Sequence, residues 1–103
     1  MNKDASGVDE AARQLDRCWV DFIVQLRNGS GFDETAFKAL CQSLDDCTRS
    51  WEKSAFVPKL AARVFIDLYP SIEVCAYMYE GDDADKIRNA AEVVTDLARR
   101  CAK

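Results

Sequence analysis

Apolar residues recur at alternating four- and three-residue steps along three separate stretches of this chain. From Gly7 to Asn28 the stripe is Val8, Ala12, Leu15, Trp19, Phe22 and Leu26, widened by Ala11, Cys18 and Ile23. From Glu34 to Glu52 it is Phe37, Leu40, Leu44, Cys47 and Trp51, and from Ala84 to Cys101 it is Ile87, Ala90, Val94, Leu97 and Cys101. Such spacing lines one face of an α-helix and scatters over both faces of a strand. Each stripe leaves one face to bury and one to solvate, so the three helices must pack on one another.

The residues at the ends agree with the stripes. Ser6, with Asp9 three positions on, is placed to cap the first helix, and Asn28-Gly29-Ser30-Gly31 is a stop. Asp9/Arg13 and Arg17/Asp21 are spaced as i,i+4 pairs on its wet face. Asp33 is the N-cap candidate of the second helix, with Phe32 and Phe37 at the positions of a hydrophobic staple. Asp82, Asp83 and Asp85 crowd the start of the last helix and Arg99, Arg100 and Lys103 its end, which suits the helix dipole at both ends.

The stretch from Ser54 to Glu80 is less regular. Pro58 suits a first helical turn, with Leu60, Ala61, Val64, Phe65 and Leu68 on a buried face. Pro70 lacks an N–H and crowds the preceding turn, so the helix is expected to stop or kink there. Residues 71–80, SIEVCAYMYE, fit helical spacing through Ile72, Cys75, Ala76 and Tyr79, and strand alternation through Ile72, Val74, Ala76 and Met78. A lone strand has no partner in this chain, so the segment reads as helix. With short connections, the expectation is an all-α fold: an antiparallel up-down four-helix bundle whose third helix is broken or kinked at Pro70. A chain of 103 residues holds one such domain, with residues 1–6 expected to be flexible. The same stripes are compatible with a homodimer or with a monomer's core.

Composition removes several classes of function. Four glycines and two prolines are too few for the turns of an all-β fold. A net charge of −4 argues against nucleic-acid binding, which needs clustered Lys and Arg. No apolar run is long enough to span a bilayer, and the polar, acidic N-terminus lacks the core of a secretory signal, so cytoplasmic residence is expected. The five cysteines, Cys18, Cys41, Cys47, Cys75 and Cys101, are odd in number and contain no C-x-x-C. They read as buried free thiols acting as small hydrophobes.

Chemistry is excluded as well. There is no histidine, which removes Ser-His-Asp and Cys-His catalysis and the Glu-x-x-His motif of di-iron bundles. The cysteine spacings hold no zinc knuckle, and no phosphate-binding glycine loop is present. An EF-hand loop starting at Asp83 requires Gly at its sixth position and Glu at its twelfth, where Arg88 and Val94 stand. No metal and no cofactor is expected.

One local break in pattern remains. Residues 64–85 hold six carboxylates (Asp67, Glu73, Glu80, Asp82, Asp83, Asp85) and all three tyrosines (Tyr69, Tyr77, Tyr79), but no Lys or Arg. Tyrosine supplies rigid amphipathic contact area and carboxylates speed encounter with a basic partner. Tyr77, Tyr79, Glu80, Asp82, Asp83 and Asp85 are therefore the candidate partner-binding residues. The segment Tyr77-Met78-Tyr79-Glu80-Gly81-Asp82-Asp83 resembles the tyrosine-pair-then-acid segment of the nuclease-colicin immunity proteins, which are small acidic four-helix proteins. The likeness spans these residues alone, lacks the proline that follows the tyrosine pair in that family, and transfers no site residues. The expected function is a small acidic interaction module that binds or neutralises a basic protein, in the manner of an immunity protein, antitoxin or secretion chaperone. The alternative is a small-ligand binder or enzyme with a pocket inside the bundle and Cys75 as its reactive group. Neighbouring carboxylates are expected to suppress that thiolate.

Overall fold

The structure, a computed structural model, describes the backbone of residues 3–102 and the side chains of residues 10–102. The chain is all-α: α1 (Lys3–Arg27), α2 (Glu34–Ser50), α3 (Lys59–Ala76) and α4 (Gly81–Cys101), with no strand among the described residues. α1 packs against α2 and α3, and α4 packs against the same two helices. The backbones of α1 and α4, and those of α2 and α3, stay apart among the described residues. The molecule measures 48 × 21 × 19 Å.

α1 begins at Lys3, so Ser6 lies inside the helix and not at its cap. The side chains of Val8 and Asp9 lie outside the described ones, and with them the Asp9/Arg13 pairing. Arg13 meets Glu10 at 3.6 Å and Arg17 meets Gln14 at 3.5 Å, each within one turn. At the other end the stop works as its residues require. Gly29 has φ +74, its N–H bonds the Leu26 carbonyl, and the Ser30 N–H reaches back to Gln25. This is the Schellman pattern, and it needs a residue that tolerates a left-handed backbone.

Asp33 caps α2 by accepting the Ala36 N–H at 3.1 Å. The staple rings of Phe32 and Phe37 lie 5.4 Å apart, and both reach Phe22 of α1, at 5.8 and 6.0 Å. Three phenylalanines thus fix the α1–α2 corner. α2 ends two residues before Glu52, on the buried Trp51, whose ring meets Phe65 of α3 edge-on at 6.3 Å.

α3 follows Pro58 and does not stop at Pro70; it continues to Ala76. Ile66 and Pro70 both lie on the exposed side, so water can take the acceptor that the missing proline N–H leaves. Residues 71–76 are helical as expected. Residues 77–79 form a tight turn, in which Tyr77, Met78 and Tyr79 each bond a carbonyl three positions back. Gly81, at φ +60, reverses the chain into α4. α4 starts three residues before Ala84. Its N-cap is Glu80, with no side-chain cap bond, and Asp82 and Asp83 occupy the first turn. Those aspartates therefore act on the helix dipole and do not cap.

The core is the sum of the stripes. Leu15, Phe22, Leu26, Leu40, Leu44, Leu68, Ile72, Ile87 and Val94 are fully buried, with Trp19 and Trp51 buried beside them. Phe37, Leu60, Phe65 and Leu97 pack half-buried at its edge. Side-chain bonds tie the helix ends together. The Cys47 thiol of α2 reaches the Ala11 carbonyl at 3.5 Å, and the Cys101 thiol of α4 lies 3.3 Å from the Leu44 carbonyl of α2.

Candidate interaction surface

The turn between α3 and α4 carries the acidic tyrosine segment, and the structure divides its two tyrosines. Tyr79 turns inward. Its hydroxyl donates to the Leu26 carbonyl at 2.9 Å and accepts the Gly31 N–H at 3.1 Å. It thereby ties the α3–α4 turn to the end of α1 and the turn that follows it. Tyr77 turns outward and is 77% exposed. The Arg88 guanidinium sits over its ring, 5.9 Å from the centroid, and Arg88 also meets Asp85 at 3.7 Å. A cation on one face and a carboxylate holding that cation restrict the ring while leaving most of it in solvent.

Glu80, Asp82 and Asp83 are exposed and make no ion pair among the described residues. Met78 is exposed beside them. The segment therefore presents Tyr77, Met78, Glu80, Asp82, Asp83 and Asp85 at one corner of the molecule, while Tyr79 holds the corner from beneath. Tyr69, one helical stretch earlier, is partly exposed. Its phenol pKa is raised because the hydroxyl donates to Glu73 and the Glu73 charge opposes ionisation.

A shallow groove of about 250 Å³ runs between α3 and α4, lined by Tyr69, Glu73, Tyr77, Arg88, Ala91 and Glu92. Arg88, Ala91 and Glu92 belong to α4 and were not among the sequence candidates. Neither were Ile66 and Val74 of α3, which are 73% and 66% exposed. A signal for these two exists in the sequence. Ile66, Pro70, Val74 and Tyr77 recur at steps of four, four and three, a second apolar stripe on the helix that already carries a buried one.

The thiols sit in a different setting. Of the five free cysteines Cys41 is half-buried and the other four are buried. Burial is the main cause that pushes up the thiols of Cys41, Cys75 and Cys101, and it carries Cys47 to about 12. At Cys75 the charged neighbour is not a carboxylate as expected but Arg27 of α1, which acts against the shift. Burial outweighs it, and Cys75 is 2% exposed. A closed thiol held protonated is a poor nucleophile. Among the described residues no group of three or more Cys, Asp or Glu side chains is arranged to hold a metal ion, and no helix is long and apolar enough to cross a membrane.

The chain matches no protein-family model, no curated protein and no solved structure.

Proposed function

We propose that this protein is an interaction module that binds or neutralises a basic protein partner through the α3–α4 corner, in the manner of an immunity protein, an antitoxin or a secretion chaperone. The observation that carries the reading is Tyr77, 77% exposed and under the Arg88 guanidinium, amid Glu80, Asp82 and Asp83, which make no ion pair among the described residues. A rigid aromatic supplies contact area at small entropic cost, and the carboxylates steer a basic surface towards it. Tyr79 contributes by fixing the turn. The test is affinity capture of the partner from native lysate, followed by binding measurements with Tyr77→Ala. The expected result is faster dissociation, since a lost anchor acts on the off-rate. Unchanged affinity with Tyr77→Ala would remove the corner from the interface.

We further infer that the helices alternate up and down, with α1 and α2 antiparallel, α3 and α4 antiparallel, and a bend in α3 at Pro70. The bonds from Cys47 to Ala11, from Cys101 to Leu44 and from Tyr79 to Leu26 support this order, because they bring the end of α2 to the N-terminal half of α1, the end of α4 to the C-terminal half of α2, and the turn after α3 to the end of α1. The missing Pro70 N–H supports the bend. Collinear axes on the two sides of Pro70 in an experimental structure would remove it. We place the protein in the cytoplasm, supported by five free cysteines, four of them buried.

A further inference from the structure

A helix that packs on one side needs one apolar stripe, and α3 has two. Ala61, Val64, Leu68, Ile72 and Cys75 form the buried one. Ile66, Pro70, Val74 and Tyr77 form the other. At about 100° per residue these four fall within an arc of about 80°, along roughly 16 Å of helix. Single exposed apolar residues are ordinary on a protein surface. An aligned ridge of them, on the most apolar helix of an acidic chain, is what an interaction surface requires.

Arg63 is exposed one turn before Ile66, and from there to the acidic corner the charges that α3 places beside the ridge are carboxylates. Asp67 and Glu73 flank it on α3, and Glu92 faces it across the groove from α4. None of the three has an ion-pair partner among the described residues. The base that α4 brings to the groove is already engaged: Arg88 meets Asp85 at 3.7 Å. A second copy docking ridge to ridge would set Asp67 and Glu73 against their own counterparts, and like charges in apposition are costly. An anionic lipid surface meets the same repulsion. An amphipathic helix with Lys or Arg beside its apolar face meets neither obstacle.

We infer that the outer ridge of α3 seats an amphipathic basic helix of the partner, whose apolar side covers Ile66, Val74 and Tyr77 while its cations reach Asp67, Glu73 and the acidic corner. The inference rests on the corner being the encounter site for a basic protein, and adds where and in what form that protein docks.

The test is a titration of the full isotope-labelled chain, followed through its backbone amides. Three synthetic peptides are used: a Leu/Lys amphipathic helix of about five turns, an oligolysine of equal charge, and a Leu/Glu helix of equal hydrophobicity. The Leu/Lys helix should shift amides from 66 to 77 as well as those of the corner. Oligolysine should shift the corner alone, and the Leu/Glu helix should shift neither. The double variant Ile66→Gln, Val74→Gln changes only exposed side chains and adds no charge. With its fold checked by circular dichroism, it should bind the Leu/Lys helix at least tenfold more weakly and oligolysine as before. Leu/Lys shifts confined to residues 80–85 would overturn the ridge and leave the acidic corner standing. No shifts with either basic peptide would overturn both. Equal binding of the Leu/Glu helix would overturn the charge argument. Sedimentation showing self-association that the double variant abolishes would overturn it in favour of a second copy, and binding to phosphatidylserine vesicles would do so in favour of a membrane.

Discussion

Replacing Tyr79 by Phe removes one oxygen atom and keeps the ring. That oxygen makes two bonds across the fold, donating to Leu26 at 2.9 Å and accepting from Gly31 at 3.1 Å. The Leu26 carbonyl keeps the Gly29 N–H as a partner. The Gly31 N–H keeps none among the described residues, and Gly31 is half-buried. Two ordinary hydrogen bonds contribute about 1 kcal/mol each, and an incompletely solvated N–H adds a penalty at the low end of its range. The expected loss is about 3 kcal/mol. For a domain of this size that corresponds to a fall in Tm of roughly 12–24 °C. Urea unfolding should show a lower midpoint with an unchanged slope, because the surface exposed on unfolding is the same. Amide exchange at Gly31 should accelerate. By contrast Tyr77→Ala, at an exposed site, should stay within about 0.5 kcal/mol of the parent. A Tyr79→Phe protein equally close to the parent, with Gly31 exchange unchanged, would refute the claim that this hydroxyl ties the two turns together.

The other expectations follow from burial. Trp51→Ala should cost about 3–5 kcal/mol, since the ring closes the end of α2 against Phe65, and native tryptophan emission should be blue-shifted and move red on unfolding. Ser43 is 3% exposed with a hydroxyl that finds no partner among the described residues, so Ser43→Ala should be neutral or gain up to about 1 kcal/mol by urea unfolding. Cys47 binds its proton more tightly folded than unfolded, so stability is fully present below the ordinary thiol value of 9.0 and is lost as pH rises towards about 12. Unfolding midpoints that do not fall above 9.0 would contradict this. A thiol reagent should label Cys41 first and reach the four buried cysteines only on unfolding.

What the sequence made legible is what local spacing encodes. The stripes of α1, α2 and α4 became the core, and Gly29 and Asp33 end and begin helices as their chemistry demands. Reading failed where a distant partner decides. Nothing near Tyr79 shows that its hydroxyl belongs to residues 48 and 53 positions away. Nothing near Cys75 shows that Arg27 comes to it from α1. Pro70 does not end α3, because the acceptor it leaves, at Ile66, lies on the exposed side where water can reach it, and the stripe from Ile66 to Tyr77 runs through it. The sequence places the start of α4 at Ala84, whereas the turn closed by Gly81 starts it one residue after Glu80.

The central claim is that the acidic corner steers a basic partner. Its most direct measurement is the association rate of the captured partner with the wild-type chain and with Asp82→Asn, Asp83→Asn, across a salt series. The rate should fall as salt rises, be lower in the double variant at low salt, and converge with the wild type once the charges are screened, while dissociation changes little. The double variant should stay folded, losing at most about 1 kcal/mol per dipole contact. Association independent of salt, with full affinity after the double neutralisation, would contradict the account and leave these aspartates as the first turn of α4 and nothing more.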